Sequence, residues 1–153
     1  MVIQIDSREK KIHVERITAG FDFLGIRWFV SKLPIGDYMN LDNPRTVVDR
    51  KHDLAEVAAN FTQDRFLNEM KNAQTYEIRI IFLVEHGRGI QSIEDVQNWV
   101  NPRLGESPMA LSGDRIFRKM LAYQNTYGVE FRFCERCRTA LTIAELLGGE
   151  IYG

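Results

Sequence analysis

The sequence has few of the features that define several large classes of protein. Of its 153 residues only two are cysteine and four are proline, and 20 Lys and Arg are balanced by 21 Asp and Glu. Two cysteines cannot build the disulfide framework of a small secreted domain. A formal net charge of −1 excludes a protein that coats nucleic acid through charge alone. Any surface that binds an anionic partner must therefore be a local patch.

Long apolar segments are also absent from the sequence. The longest continuous apolar run extends only from Ile80 to Val84, whereas a transmembrane helix needs about 20 such residues. The first residues, Met1 to Asp6, lack a basic start followed by an apolar stretch, so they do not have the pattern of a signal peptide. We therefore expect no membrane association and a cytoplasmic location.

The two cysteines, Cys134 and Cys137, form a single C-x-x-C motif. One such pair supplies half of a structural zinc site, and a redox pair is expected to open a helix after a strand. Residues 129–133 have the composition of a strand, so the redox alternative stays open. Two reduced cysteines at a strand end are the simpler interpretation.

The spacing of apolar residues predicts one domain with a mixed α/β sheet and helices on both faces. A continuous apolar strand over residues 78–84 is typical of the centre of such a sheet. A capping box at Ser92–Asp95 predicts a further short helix. The other predicted strands are 2–5, 26–30, 37–40, 46–49 and 129–133. The other predicted helices are 11–24, 54–61, one around 66–73, one around 116–121 that ends at Gly128, and 138–147.

Two acidic residues and a lysine lie on a predicted hairpin. Asp37 begins the first arm, residues 41–44 form the turn, and Asp49 ends the return arm. If the arms pair, both carboxylates meet at one end of the sheet. Lys51 faces the same side as Asp49 because side chains alternate along a strand, and Arg50 faces the other side.

This arrangement suits the hydrolysis of a phosphodiester bond. Mg²⁺ is usually held by one or two carboxylates and keeps several waters, and it polarises a phosphoryl oxygen and lowers the pKa of a bound water. A nearby ammonium stabilises the charge that develops on the phosphate. The same pattern also fits a solvated hairpin, in which Asp37 is a turn residue and Lys51 forms a surface pair with Asp49.

The motifs around these residues resemble the XPF-type nuclease domain of the PD-(D/E)xK superfamily. The string Leu33 to Tyr38, followed by Val48 to Lys51, is similar to the family's Gly-Asp, variable hairpin and Glu-Arg-Lys pattern. The opening Ile5 to Glu9 resembles its first acidic motif. Asp64 to Phe66 resembles its basic-aromatic motif, and Val84 to Gly87 is similar to stand-alone bacterial and phage members.

The resemblance implies one restriction-endonuclease-like domain over residues 1–153, without the C-terminal helix-hairpin-helix module of larger members. It implies a Mg²⁺- or Mn²⁺-dependent endonuclease that cleaves branched or flapped DNA, and a homodimer formed through the nuclease domain. The implied catalytic residues are Asp37, Asp49, Lys51 and Glu9. The implied metal ligands are Asp6, Asp37, Asp49 and the backbone carbonyl of Arg50, and the implied DNA contacts are Arg8 and Arg65.

The sequence departs from the family pattern at two positions. Asp49 stands where the family has Glu, and Ala55 stands where it often has Asp. A second hypothesis is therefore a weak or inactive DNA-binding or assembly module of a recombination or replication complex. A third is a nuclease subunit that works only when docked to such a complex. Retention of Asp37, Asp49 and Lys51 favours activity.

Overall fold

One mixed sheet runs through the computed structural model, which describes residues 1–87 and 89–148. Its strands within these ranges are β1 (Val2–Ile5), β2 (Arg27–Val30), β3 (Tyr38–Asn40), β4 (Asn43–Lys51), β5 (Arg79–Glu85) and β6 (Glu130–Cys134). The α-helices are α1 (Lys11–Phe23), α2 (Leu54–Asn60), α3 (Asp64–Thr75), α4 (Gly113–Tyr127) and α5 (Thr139–Gly148). The strand order is β2-β1-β3-β4-β5-β6.

The sheet is mixed because its short third strand runs against both neighbours. β3 is antiparallel to β1 and to β4, whereas the pairs β1–β2, β4–β5 and β5–β6 are parallel. Parallel neighbours need a crossover connection. α1 makes it between β1 and β2, α2 and α3 make it between β4 and β5, and α4 makes it between β5 and β6. The predicted mixed α/β class is confirmed.

Each face of the sheet is covered by its own set of helices. Phe82 of β5 packs with Phe66 of α3 and with Met120 of α4 in one core. Leu83 of the same strand packs with Ile17 of α1 and with residues of α5 in the other. β5 is therefore buried on both sides, as its apolar run predicts. Within the described ranges, no helix is both long and apolar enough to cross a membrane.

The hairpin differs from the predicted one at its turn. The sequence predicts a turn over residues 41–44, but β4 already begins at Asn43 and includes Pro44. The pairing register shifts between Met39 and Asn40. Proline cannot donate a ladder hydrogen bond and is tolerated in a sheet mainly at edges and irregular positions, so the irregular register accommodates it. The prediction was wrong because tertiary pairing outweighed the local turn signal.

The capping box at Ser92 begins a 3-10 helix over Ile93–Asn98, so the predicted short helix is present in a tighter form. The loop expected after it contains a second 3-10 turn at Pro102–Gly105.

α1 and α5 approach each other closely at Gly20. A Cβ atom at this position would lie 2.4 Å from the Cβ of Ala140. The contact matters for the end of the sheet, because α1 carries Arg16 and α5 carries Thr139. Both of these side chains donate hydrogen bonds to Glu85 at the end of β5.

We expect Gly20→Ala to destabilise the protein by about 1–3 kcal/mol, the usual effect of overpacking a close contact. The direction is informative because alanine is otherwise favoured over glycine inside a helix by about 1 kcal/mol. Urea unfolding measures the change. Gly105→Ala is the control, since a Cβ there meets nothing within 4 Å. Equal stability of Gly20→Ala and the natural protein would contradict the close contact.

Candidate active site

Gly36 and Asp37 place a carboxylate between β1 and β4. Gly36 has a φ of +79° and a Cβ there would lie 2.8 Å from the side chain of Val47, so the position requires glycine. The Asp37 N–H donates to the carbonyl of Val48 at 2.9 Å, and the Asp37 carbonyl accepts from the N–H of Asp6 at 2.8 Å. The backbone of Asp37 is therefore held on both sides.

Asp49 and Lys51 lie on the same side of β4, as the alternation of side chains predicts. The Lys51 Nζ is 3.5 Å from the Asp49 Oδ1, and it lies 5.4 Å and 5.7 Å from the ring centres of Phe66 and Phe82. Both residues are only 8% exposed. This burial is inconsistent with a solvated surface pair, because such pairs keep both side chains in water.

The carboxylates of the site are crowded. Burial raises the pKa of Asp37 well above its usual value, and the charges of Asp49 and Glu9 raise it further, against the hydrogen bond from the Arg50 N–H. That N–H donates to the Asp37 Oδ2 at 2.8 Å. Negative charge is thus concentrated around Asp37, and a bound cation would relieve the repulsion.

Glu69 of α3 belongs to the same cluster, although the sequence did not predict it. Burial, followed by the charge of Asp49, raises the pKa of Glu69 to about 7, and both residues line the same pocket. A signal was available in the sequence. Glu69 follows Arg65 by four residues on one helix, so the two side chains share a face, and Arg65 was already predicted to face the DNA.

A buried ionic network occupies the opposite side of β4. The Arg50 guanidinium donates to both oxygens of Glu9, at 3.0 Å and 3.1 Å, and to Glu85 at 2.5 Å. Glu85 also accepts hydrogen bonds from Arg16 at 2.7 Å and from Thr139 at 2.5 Å. These bonds hold the pKa of Glu85 below its usual value despite burial. The network ties the end of β4 to β5, α1 and α5.

The first acidic motif is engaged in structural hydrogen bonds. The Asp6 Oδ1 accepts from the Leu33 N–H at 2.9 Å, and its Oδ2 accepts from the Arg8 Nε at 2.8 Å. Glu9 accepts from Arg50, as described, and from the Tyr38 hydroxyl at 3.2 Å. Both carboxylates therefore hold neighbouring groups in place. The roles of Asp6 as a metal ligand and of Glu9 as a catalytic residue stay predictions.

Two adjoining pockets meet at Asp37 and Asp49, and Arg8 is the third residue that lines both of them. The first, about 610 Å³, extends along α3 past Arg65 and Glu69. The second, about 530 Å³, extends toward the start of α1 and also includes Lys51 and His52 in its lining. The structure thus brings together Asp37, Asp49 and Lys51, and it places Arg8 and Arg65 in the same pockets. Contact of Arg8 and Arg65 with DNA stays a prediction.

The acidic side chains of the site include two that fit a divalent metal. In the part of the chain that the structure describes, no group of three or more His, Cys, Asp or Glu side chains is arranged to hold a metal ion. Asp37 and Asp49 nevertheless line the same two pockets and repel each other there. Two carboxylates with several waters are a common protein environment for Mg²⁺, so these residues fit a hard cation that keeps much of its hydration.

The C-x-x-C motif gains no support as a redox site. Cys134 and Cys137 are free thiols. Burial raises the pKa of the Cys134 thiol, which lies 3.7 Å from the Thr139 hydroxyl. A reactive thiol needs a lowered pKa, so the simpler interpretation of two reduced cysteines fits better.

The six-stranded mixed sheet, covered by helices on both faces, defines an α/β domain of restriction-endonuclease-like architecture. The model of the ERCC4 domain family matches residues 5–145, and the chain belongs to this family. The predicted resemblance to the XPF-type nuclease domain is thereby confirmed.

Solved structures share the fold. XPF from Aeropyrum pernix is similar with a TM-score of 0.70 and 22% sequence identity, over 96% of this chain and 63% of that chain. XPF from the same organism in complex with DNA gives a TM-score of 0.66 and 20% identity over the same shares. The chain thus spans less than two thirds of the length of these XPF chains. No curated protein sequence matches it.

We expect Arg50→Met to destabilise the protein by about 3–5 kcal/mol, because it leaves Glu9 and Glu85 buried without their shared cation. Arg45→Met is the matched control on the same strand. Arg45 forms an exposed pair with Glu77 at 3.5 Å, and such pairs contribute at most about 1 kcal/mol. Equal effects of the two substitutions in urea unfolding would contradict the role of the network.

We expect Glu69→Gln to stabilise the metal-free protein by about 1–2 kcal/mol at pH 8, after allowance for solvent screening. The pKa of Glu69 is raised to about 7, so the folded state binds a proton before the unfolded state does as the pH falls through 7. The free energy of unfolding of the natural protein therefore rises as the pH falls from 8 to 5. The variant lacks the titrating carboxyl group, so it shows little of this rise.

Urea unfolding in EDTA at several pH values measures both effects of Glu69→Gln. Glu106, which is exposed, provides the control substitution, Glu106→Gln. A Glu69→Gln variant that is less stable than the natural protein at pH 8 would show that the carboxylates are not crowded.

Proposed function

We propose that the protein is a metal-dependent DNA endonuclease that hydrolyses phosphodiester bonds. The observation that carries the proposal is the meeting of Asp37, Asp49 and Lys51 in one groove at the end of the β3–β4 hairpin, with Lys51 and Asp49 in contact at 3.5 Å. Buried acids that repel each other beside a buried lysine are unfavourable for stability alone. They suit a site where charge is needed for chemistry.

Asp37 and Asp49 would hold Mg²⁺ or Mn²⁺, and the Arg50 carbonyl would add a third oxygen. The Arg50 N–H donates to the Asp37 carboxylate at 2.8 Å. The N–H and C=O groups of one residue in a strand point to the same side of the strand, so this carbonyl is directed toward Asp37. Asp6 and Glu9 support these groups through the hydrogen bonds described above. When bound, the metal polarises a phosphoryl oxygen and lowers the pKa of a coordinated water.

Lys51 would stabilise the reaction at the phosphate. Its ammonium donates hydrogen bonds to the attacking water and to the phosphate oxygens that gain negative charge. Asp49 holds the ammonium from one side, and the faces of Phe66 and Phe82 lie within cation–π distance on another. A new P–O bond forms from the water, which gives up a proton, and the ester P–O bond breaks as the leaving oxygen gains one.

DNA is the proposed substrate, and branched or flapped DNA the proposed form of it. Arg8 and Arg65 line the groove beside its acids, where each can contact a phosphate of the strand. XPF from Aeropyrum pernix, which shares the fold, has been solved in complex with DNA. For this chain we also propose a homodimer formed through the nuclease domain and a role in DNA repair or recombination.

One observation favours the alternative of a weak or inactive DNA-binding module. Within the described residues, no three acidic, histidine or cysteine side chains are arranged to hold a metal. A site with two carboxylates would bind Mg²⁺ weakly. The metal would then bind only when a DNA phosphate supplies further oxygen ligands.

We expect the natural protein to cleave labelled duplex, flap or fork DNA with Mg²⁺ or Mn²⁺ and not in EDTA. Asp37→Asn and Lys51→Ala should each reduce the cleavage rate by about 10²–10³-fold, because each removes charge that acts in the transition state. The amide oxygen introduced by Asp37→Asn can still accept the Arg50 N–H, so the fold is retained. Initial rates on the best substrate measure the effect.

Lys71→Ala is the control for these variants, since Lys71 is an exposed residue of α3. Cleavage that survives both Asp37→Asn and Lys51→Ala would remove the proposed site. Binding of DNA without cleavage of any form would favour the inactive module.

A further inference from the structure

The two pockets at the paired acids form one groove with two arms. They share Arg8, Asp37 and Asp49, so a polymer that presents one phosphate to these acids can extend into both arms. With volumes of about 610 Å³ and 530 Å³, each arm is as large as a typical small-molecule site. Each arm also contains residues that the proposed chemistry does not use, namely Asn68 and Asn72 in the first and Lys10, His13 and His52 in the second.

The arm along α3 is lined by side-chain amides. Asn68 and Asn72 are four residues apart, so they lie on one face of the helix, one turn from each other. Both are exposed and both line the groove, as does Arg65. Amide groups donate to phosphate and sugar oxygens and to base edges without adding charge. The contacts that Asn68 and Asn72 offer to nucleotides therefore depend little on salt, unlike the contact of Arg65 in the same arm.

The arm toward α1 has a different character. It is lined by Lys10, His13 and His52, and the rings of the two histidines are 6.4 Å apart. His13 is only 8% exposed, and its Nδ1 atom has no hydrogen-bond partner among the described residues. Such an unsatisfied buried group in a pocket wall is unusual in a purely structural position.

The acids of this second arm are already partnered. Glu9 is held by Arg50, and the Glu56 carboxylate accepts a hydrogen bond from the backbone N–H of His52 at 2.7 Å. Lys10 is exposed, and its ammonium can reach a phosphate without leaving a buried acid unpaired. Besides Lys51, the arm thus offers one exposed cation and two imidazoles to an anionic group.

We propose, on the basis of the nuclease function above, that the DNA strand to be cleaved runs through both arms of the groove. Asn68 and Asn72 hold its nucleotides on one side of the scissile phosphate, and Lys10 and His52 hold a phosphate on the other. Asn68 and Asn72 contribute contacts that depend little on salt, whereas Lys10 contributes a contact that releases counterions from the strand.

The test is DNA binding without cleavage. Fluorescein-labelled single-stranded DNA of about 20 nucleotides is titrated with each protein in an Asp37→Asn background with Ca²⁺, and Kd is followed by anisotropy between about 50 and 200 mM salt. We expect the Asn68→Ala, Asn72→Ala double variant to weaken binding about tenfold with an unchanged salt slope, the loss of two modest hydrogen bonds. Lys10→Ala should weaken binding several-fold and reduce the slope by about 0.7.

Two matched controls lie outside the groove. Lys11→Ala removes the cation of the neighbouring residue. The side chain of Lys11 is 90% exposed and pairs with Glu15. Asn125→Ala removes an exposed amide of α4. Groove variants that bind as tightly as the unsubstituted background, controls that weaken binding equally, or an Asp37→Asn protein that binds no strand would each overturn the proposed path.

The path and the proposed function fail in different ways. If the protein hydrolyses DNA but the groove variants bind and cleave like the natural protein, the path is wrong and the nuclease stands. If binding depends on both arms while no metal supports cleavage, the path stands and the nuclease is wrong.

Discussion

The ionic network around Arg50 is the interaction on which the rest of the site depends. Its guanidinium joins Glu9, which follows β1, to Glu85, which ends β5, and so fixes the ends of three strands relative to one another. A buried ion pair is a weak source of net stability. The network does, however, fix how these side chains are oriented, because the five donors of the planar guanidinium satisfy both carboxylates in only a few orientations.

Side chains alternate between the two faces of β4, so the end of this strand has both a structural and a chemical role. Arg50 points into the network, while its neighbours Asp49 and Lys51 point to the groove. The same residue that braces the sheet also offers its N–H to Asp37. Because structural and chemical groups alternate residue by residue, a shift of one position in the β4 register would exchange them. Pairing with β5, from Thr46 to Lys51, prevents that shift.

The parts of the fold that follow from local pattern were predictable. The apolar run of β5 indicated a central strand, and the period of two along β4 placed Asp49 and Lys51 on one side. Family motifs then singled out Asp37.

The turn over residues 41–44 was not predictable, because pairing of β4 with its neighbours overrides the turn signal of Pro44. The long-range contacts were not predictable either, since no periodicity in the sequence indicates that the Arg50 guanidinium binds both Glu9 and Glu85. A motif identifies which residues matter, whereas tertiary contacts decide which task each one performs.

Glu69 and Asp49 are best understood together. Asp49 is one methylene shorter than the Glu of the family pattern, so its carboxylate stays closer to β4. Glu69 lies on α3 and lines the same pocket, where burial and then the charge of Asp49 raise its pKa. The acid on β4 and the acid on α3 therefore act on each other across one pocket, and the charge they concentrate lies beside Asp37, where a cation would be held.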